Sequence, residues 1–333
     1  MKVVLFFRLQ EMRWSLPDAD LAALRARFPQ VDFVPVDEEA DLDAALADAD
    51  AFFGWHFPPG HFAAARRLAW VHSASAGIEA NLFPALVESE VTLTNATGLH
   101  TVCIPEHVLG LMLALARNFH EAERLKAQHR WERFTVIAFA GGVRELAGSN
   151  LAILGAGAIG AALSRLCRAL DMRVRVLRRR PDHPVEGAEQ VVGPGERHGL
   201  LAWADFVVVA TPLTAETRNL IDRPALAAMK PSAFLINIGR GESVDDGALV
   251  EALRSRAIAG AGLDVFREEP LPPSSPYFEL DNVILTPHVS GYTPEYFKKI
   301  LAQFTDNLER FVAGKRLRNV VDKRLGYVTD SSA

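Results

Sequence analysis

An α/β chain with two doubly wound parallel sheets is predicted by three observations. Short apolar runs alternate with amphipathic segments along most of the 333 residues. One run, Asn150-Leu151-Ala152-Ile153-Leu154, passes directly into Gly155-Ala156-Gly157-Ala158-Ile159-Gly160 and then into a helical pattern. The polar residues that stand out fall at the ends of the later runs, where open α/β sheets bind ligands.

The N-terminal unit reads as a small α/β fold. Val3 to Phe7 is a strand, and Asp18 to Phe28 a helix with Asp18 as N-cap and Pro29 as stop. Val31 to Val36, Ala51 to Trp55, Ala69 to Ser73 and Val91 to Thr94 are further strands. From His100 to Lys126 the pattern reads as one long helix with Leu109, Met112, Leu113 and Ala116 as its buried stripe. Trp131 to Gly148 is irregular and aromatic, suited to cover a cofactor or to face another subunit.

The glycine run opens a second unit. Its helix carries Leu163, Leu166, Cys167 and Leu170 on one face. Strands follow at Met172 to Leu177, Phe206 to Ala210, Phe234 to Ile238, Ala261 to Val265 and Val283 to Thr286. After Pro294 the chain turns helical to about Val312, Asn319 to Val321 is strand-like, and Val328 to Ala333 is expected to be disordered. The simplest architecture returns this tail to the first unit.

Composition excludes several classes. A net charge of −5 gives no reason to expect nucleic acid or an anionic membrane as partner. Cys103 and Cys167 form neither a disulfide framework nor a metal cluster, and both read as buried structural thiols. The opening Met1 to Arg8 is too soon interrupted by charge for a signal peptide, and no apolar run reaches membrane-spanning length. A cytoplasmic, soluble protein is the expectation.

A strand, G-x-G-x-x-G and a helix in that order form a dinucleotide fingerprint. The first glycine permits the tight turn, the second lets a pyrophosphate approach the backbone, and the third lets helix and strand pack closely. The helix N-terminus offers N–H groups and the positive end of its dipole to phosphate. An acid about 20 residues beyond the glycines bonds the ribose hydroxyl in NAD sites, whereas arginine suits a 2′-phosphate. Here Arg178, Arg179 and Arg180 stand at that point, with no acid before Asp182. NADP(H) is therefore preferred and NAD(H) remains possible; a solvated basic turn without selectivity is the plainer alternative.

Hydride transfer to a 2-keto acid needs a cation for the carboxylate, a proton donor for the carbonyl oxygen, and an acid that orients the donor. Arg240, held in Gly239-Arg240-Gly241, His288 and Glu269 can fill these roles, and Asp264 can bond the nicotinamide carboxamide. Taken singly, Arg240 can also be read as a turn residue, Glu269 as a solvated loop acid and His288 as a structural histidine. Their joint occurrence at successive strand ends favours the functional reading. Trp55, His56, Phe57 and Trp131 are candidates for setting pocket shape.

At these residues the chain resembles the D-isomer-specific 2-hydroxyacid dehydrogenases. The matching segments are the glycine fingerprint, Thr211-Pro212-Leu213-Thr214-Ala215-Glu216-Thr217, Ile236 to Asp245, Gly262 to Leu271, and Thr286-Pro287-His288-Val289-Ser290-Gly291. Ser75-Ala76-Gly77-Ile78 and Pro105-Glu106-His107 match more loosely. The resemblance implies a catalytic Arg240, Glu269 and His288. It implies cofactor contacts from Gly155 to Gly160, Arg178, Arg179, Thr211, Pro212, Thr217, Ile238, Gly239, Asp264 and Gly291. It implies that Ser75 to Ile78, with Arg240 and His288, hold the substrate.

The resemblance further implies a Rossmann cofactor domain over 99–288 and a smaller flavodoxin-like substrate domain from 1–98 and 289–333. The cofactor domain is expected to make a homodimer. In formate dehydrogenase relatives glutamine stands where this chain has Glu269, which favours the hydroxyacid branch. Arg178, 18 positions beyond Gly160, replaces the family's usual acid, as in NADP-preferring glyoxylate and hydroxypyruvate reductases. Glu79 stands where the family often has aspartate, a detail of the substrate loop. The implied activity is reduction of a small 2-keto acid. The alternatives are a dinucleotide-sensing regulatory protein on the same scaffold and a dehydrogenase for another small acid, such as phosphite or formate.

Overall fold

The structure is a computed structural model and describes residues 1–9, 12–13 and 16–329. It divides into two compact units, 1–99 with 294–333 and 100–293.

The first unit is built on five parallel strands: β1 (Lys2–Phe6), β2 (Asp32–Pro35), β3 (Ala51–Gly54), β4 (Trp70–Ser73) and β5 (Thr92–Thr94). Their order is β2-β1-β3-β4-β5, with every neighbouring pair parallel. This is the flavodoxin-like doubly wound order. Strand β1 shows why both faces are covered: Val3 and Leu5 enter one core, Val4 and Phe6 the other. The C-terminal helix Tyr296–Val312 packs on the first of these faces. Its Phe304 is fully buried and stacks on Phe53 at 4.1 Å. Burial of a side chain this size contributes about 1.5–3 kcal/mol.

The second unit holds seven parallel strands: β6 (Asn150–Leu154), β7 (Arg173–Leu177), β8 (Gln190–Val192), β9 (Phe206–Val209), β10 (Phe234–Asn237), β11 (Gly260–Leu263) and β12 (Val283–Leu285). The order β8-β7-β6-β9-β10-β11-β12 is the Rossmann order with one further strand. Strand β6 again alternates, with Ala152 and Leu154 on one face and Leu151 and Ile153 on the other. Among the described residues no helix is long and apolar enough to cross a membrane.

Several expectations are corrected. Asp18 is the first helical residue rather than the N-cap; Pro17 precedes the helix and no side chain caps it. The expected helix from His100 to Lys126 is two helices, Cys103–Ala116 and Phe119–Ala127. Asn118 breaks it at φ 54°, a left-handed conformation that asparagine tolerates. Its buried amide donates to Val136 O and Phe139 O, which holds the break in place.

The stripe of the first of these helices is Ile104, Val108, Leu111, Met112, Leu115 and Ala116, while Leu113 is exposed. In the helix after the glycines Leu163 and Cys167 are buried, but Leu170 lies past the helix end and is exposed. The irregular 131–148 segment contains a short helix, Arg133–Ala138. Near the C-terminus Val321–Asp322 and Tyr327–Val328 form an antiparallel pair, so Val328 is in a strand; residues 330–333 lie outside the described residues. Cys167 is fully buried, which pushes its thiol up to about 12, whereas Cys103 is only partly buried.

Candidate active site

The glycine turn leaves β6 and enters the helix Ala158–Arg168. Gly155 has φ +109°, and a Cβ there would sit 2.7 Å from Ala210 O; a Cβ at Gly160 would sit 2.0 Å from Gly155 O. Neither position accepts a side chain. A Cβ at Gly157 would meet nothing within 4 Å, so the middle of the turn opens on free space at the helix N-terminus. No side chain caps that helix, which leaves its first N–H groups available to an anion. At the end of β9 Thr211 is buried, and its hydroxyl has no hydrogen-bond partner among the described residues. The open cradle and this orphaned hydroxyl fit a dinucleotide.

Arg178 follows β7 and is half-buried, with its N–H bonded to Val192 O. Among the described residues its guanidinium makes no hydrogen bond or ion pair, whereas Arg173 and Arg175 on the same strand both pair with Glu189. Arg179 is exposed. The segment after Thr211 is a closed turn: Thr217 Oγ1 donates to Pro212 O at 2.6 Å, and Thr214 N–H donates to Thr217 Oγ1 at 2.8 Å. Thr217 therefore shapes the loop. Ile238 is buried after β10, and Gly291 faces His100, whose ring lies 3.2 Å from where a Cβ would be.

The chemistry-bearing residues come together after β10, β11 and β12. His288 Nδ1 lies 2.7 Å from Glu269 Oε2, and Phe266 N–H donates to Glu269 Oε1 at 2.8 Å. The glutamate is thus fixed by one bond on each oxygen. The hydrogen bond that His288 donates to Glu269 raises the His288 pKa above its ordinary value, and the glutamate charge adds to this against burial. Burial pushes Glu269 upward, but the bonds from His288 and Phe266 and the charges of His288 and Arg240 hold it below the usual carboxylate range. The Arg240 charge is felt at both members of the pair. Arg240 itself is braced by a 2.7 Å bond from its guanidinium to Gly239 O, while Asn237 Nδ2 donates to Arg240 O.

Asp264 follows β11 with its side chain fully buried and both its oxygens bonded within the chain. Oδ1 accepts from Thr286 Oγ1 at 2.6 Å and from Val289 N–H at 3.0 Å, and Oδ2 accepts from Ser290 N–H at 3.1 Å. A buried carboxylate must be satisfied in this way.

Ser75 to Ile78 belong to the other unit, in the loop after β4. Asn95 Nδ2 holds Ala76 O at 2.6 Å, and among the described residues the N–H groups of Ala76, Gly77 and Ile78 donate to no group of the chain. Of the aromatic candidates for pocket shape, Phe57 is instead core, fully buried and packed on Phe52, Phe62 and Phe83. Trp55 is buried and stacks on Tyr296, and Trp131 is 93% exposed.

A Rossmann sheet with an open glycine cradle on one strand end and an arginine, a histidine and a glutamate on others defines a nicotinamide-dinucleotide oxidoreductase. Residues 109–290 match the family described as D-isomer specific 2-hydroxyacid dehydrogenase, NAD binding domain, and the chain belongs to that family. A glyoxylate/hydroxypyruvate reductase B from Pectobacterium carotovorum is 37% identical over 311 residues, covering 91% of this chain and 95% of that one. A D-isomer specific 2-hydroxyacid dehydrogenase from Xanthobacter autotrophicus, solved with NADPH and MES, superposes with a TM-score of 0.83 at 30% identity over 98% of this chain and 99% of that one. An NADPH-dependent glyoxylate/hydroxypyruvate reductase from Sinorhizobium meliloti, solved with NADP and sulfate, gives 0.83 at 27% identity over the same shares.

Proposed function

We propose that this protein reduces small 2-keto acids of the glyoxylate and hydroxypyruvate type with NADPH. The observation that carries the reading is the His288–Glu269 pair with the Arg240 charge beside it. The names of the similar reductases support the same substrate class.

Bound NADPH supplies the hydride. The Arg240 guanidinium holds the substrate carboxylate, and in the other unit the free N–H groups of Ala76, Gly77 and Ile78 are donors suited to an anion. Glu269 takes the Nδ1 proton of His288 in a hydrogen bond, which leaves Nε2–H to donate to the carbonyl oxygen as it becomes a hydroxyl. The His288 side chain is 50% exposed, so water can return the proton afterwards. Gly155 to Gly160 and Thr211 receive the dinucleotide phosphates and its neighbouring polar groups. The unpaired Arg178 meets the 2′-phosphate, which favours NADP(H) over NAD(H). We assign the cofactor role to the 100–293 unit and the substrate role to the other.

Homodimer formation is part of the proposal. Trp131, Phe134 and Phe119 are 93%, 80% and 56% exposed, too much aromatic surface in one stretch for solvent. Sedimentation of the wild type and of Trp131→Asp with Phe134→Asp tests it; a dimer that the double change dissociates is expected, and a wild-type monomer contradicts it.

The activity is tested with NADPH or NADH and a panel of glyoxylate, hydroxypyruvate, pyruvate and bulkier 2-keto acids, following nicotinamide absorbance. Oxidation of NADPH well ahead of NADH is expected. Tight dinucleotide binding with no oxidation by any acid points instead to a sensing protein.

A further inference from the structure

His107 and Thr286 are absorbed by none of the roles above. We propose that they are positioning residues for His288, acting through Asp264 to hold the 286–290 segment. The inference rests on His288 being the proton donor.

Thr286 Oγ1 lies 2.6 Å from Asp264 Oδ1 and 3.1 Å from His107 Nε2. A carboxylate only accepts, so the hydroxyl proton goes to Asp264. His107 Nε2 must then carry a proton and donate it to Thr286 Oγ1. The chain of donors runs from His107 through Thr286 to Asp264. His107 stands on the Cys103–Ala116 helix, whose neighbouring Ile104, Val108, Leu111 and Leu115 are packed into the core. The helix therefore fixes the rotor of the Thr286 hydroxyl.

What this holds is the backbone around His288. That residue has φ +52°, a left-handed conformation that is unfavourable for a non-glycine residue. Four bonds to one aspartate offset the strain. Thr286 Oγ1, Val289 N–H and Ser290 N–H reach the Asp264 carboxylate, and His288 N–H reaches Asp264 O at 2.9 Å. They bracket His288 on both sides. A shift of this turn moves Nδ1 off Glu269 Oε2. Among the described residues the charged groups that face His288 are Glu269, Arg240 and Asp264, and His107 faces Asp264 at 3.7 Å.

The test compares Thr286→Val, Thr286→Ser, His107→Leu and His107→Gln. Serine keeps the hydroxyl and glutamine keeps an N–H donor. The first readout is NMR titration of the His288 ring in the protein without cofactor. In Thr286→Val the ring titrates at lower pH than in wild type, because the Glu269 bond loosens, and Thr286→Ser restores it. His107→Leu shifts it in the same direction and His107→Gln less. The second readout is kcat, which falls about tenfold in Thr286→Val while NADPH affinity and keto-acid KM stay within about twofold. Wild-type titration and kcat in Thr286→Val overturn the inference. His288→Asn separates the two claims: full turnover in that variant removes the proton-donor reading, while the ring titration in the other variants still decides whether the relay holds the turn.

Discussion

Glu269 grips His288 through one carboxylate oxygen and is itself gripped by the Phe266 N–H through the other, at 2.7 and 2.8 Å. A carboxylate fixed at both ends orients the imidazole without following it. It also keeps the ring cationic to higher pH than a solvated histidine.

Glu269→Gln therefore has a defined pH signature. Reduction requires protonated His288, so kcat for the keto acid falls as pH rises through the histidine pKa. That pKa is raised in the wild type, and losing the carboxylate lowers it. The falling limb moves to lower pH in the variant, and kcat at neutral pH drops about tenfold to a hundredfold. A kcat–pH profile checks this.

Arg240→Lys removes the planar fork and keeps the charge. The keto-acid KM rises about tenfold or more, while NADPH binding measured by fluorescence stays near wild type.

Arg178→Ala lowers NADPH affinity by about tenfold and leaves NADH affinity close to wild type, since only the former carries a 2′-phosphate. Equal losses for both cofactors contradict the assignment. Titration of each dinucleotide reads the difference.

His72 controls acid stability in the first unit. It is fully buried, with Nδ1 2.6 Å from Thr94 Oγ1, and burial pushes its pKa down to about 3. Unfolded histidine titrates near 6.5, so between about pH 6.5 and 3 the unfolded chain binds the extra proton. Stability is whole above that window and is lost as pH falls through it, by about 1.4 kcal/mol per pH unit at most. Urea unfolding at pH 7 and pH 5 shows a drop of about 2 kcal/mol from this residue. In His72→Gln that part of the drop disappears.

The strands were legible because buried parallel strands are continuous apolar runs, and β6 and β9 could be placed from Leu151–Leu154 and Phe206–Val209 alone. The break at Asn118 was not, because neither glycine nor proline marks it and the signal is one asparagine in a left-handed turn. Leu113 and Phe57 show the limit of hydrophobicity: one apolar residue is exposed and the other buried, and only packing decides which. In the site, Arg240, Glu269 and His288 were visible as polar residues after strands. Asp264 was visible but its enclosure was not, since burial of a carboxylate depends on donors such as Thr286, Val289 and Ser290 that the fold brings to it. His107 was legible only within the matching segment Pro105-Glu106-His107, and its bond to Thr286 was not, because the two lie far apart in sequence.

The proton-donor role of His288 is tested most directly by single-turnover reduction of glyoxylate in His288→Asn preloaded with NADPH. The account predicts NADPH affinity within a few-fold of wild type and a chemical step slowed by about a hundredfold or more. A wild-type rate from the bound cofactor contradicts it.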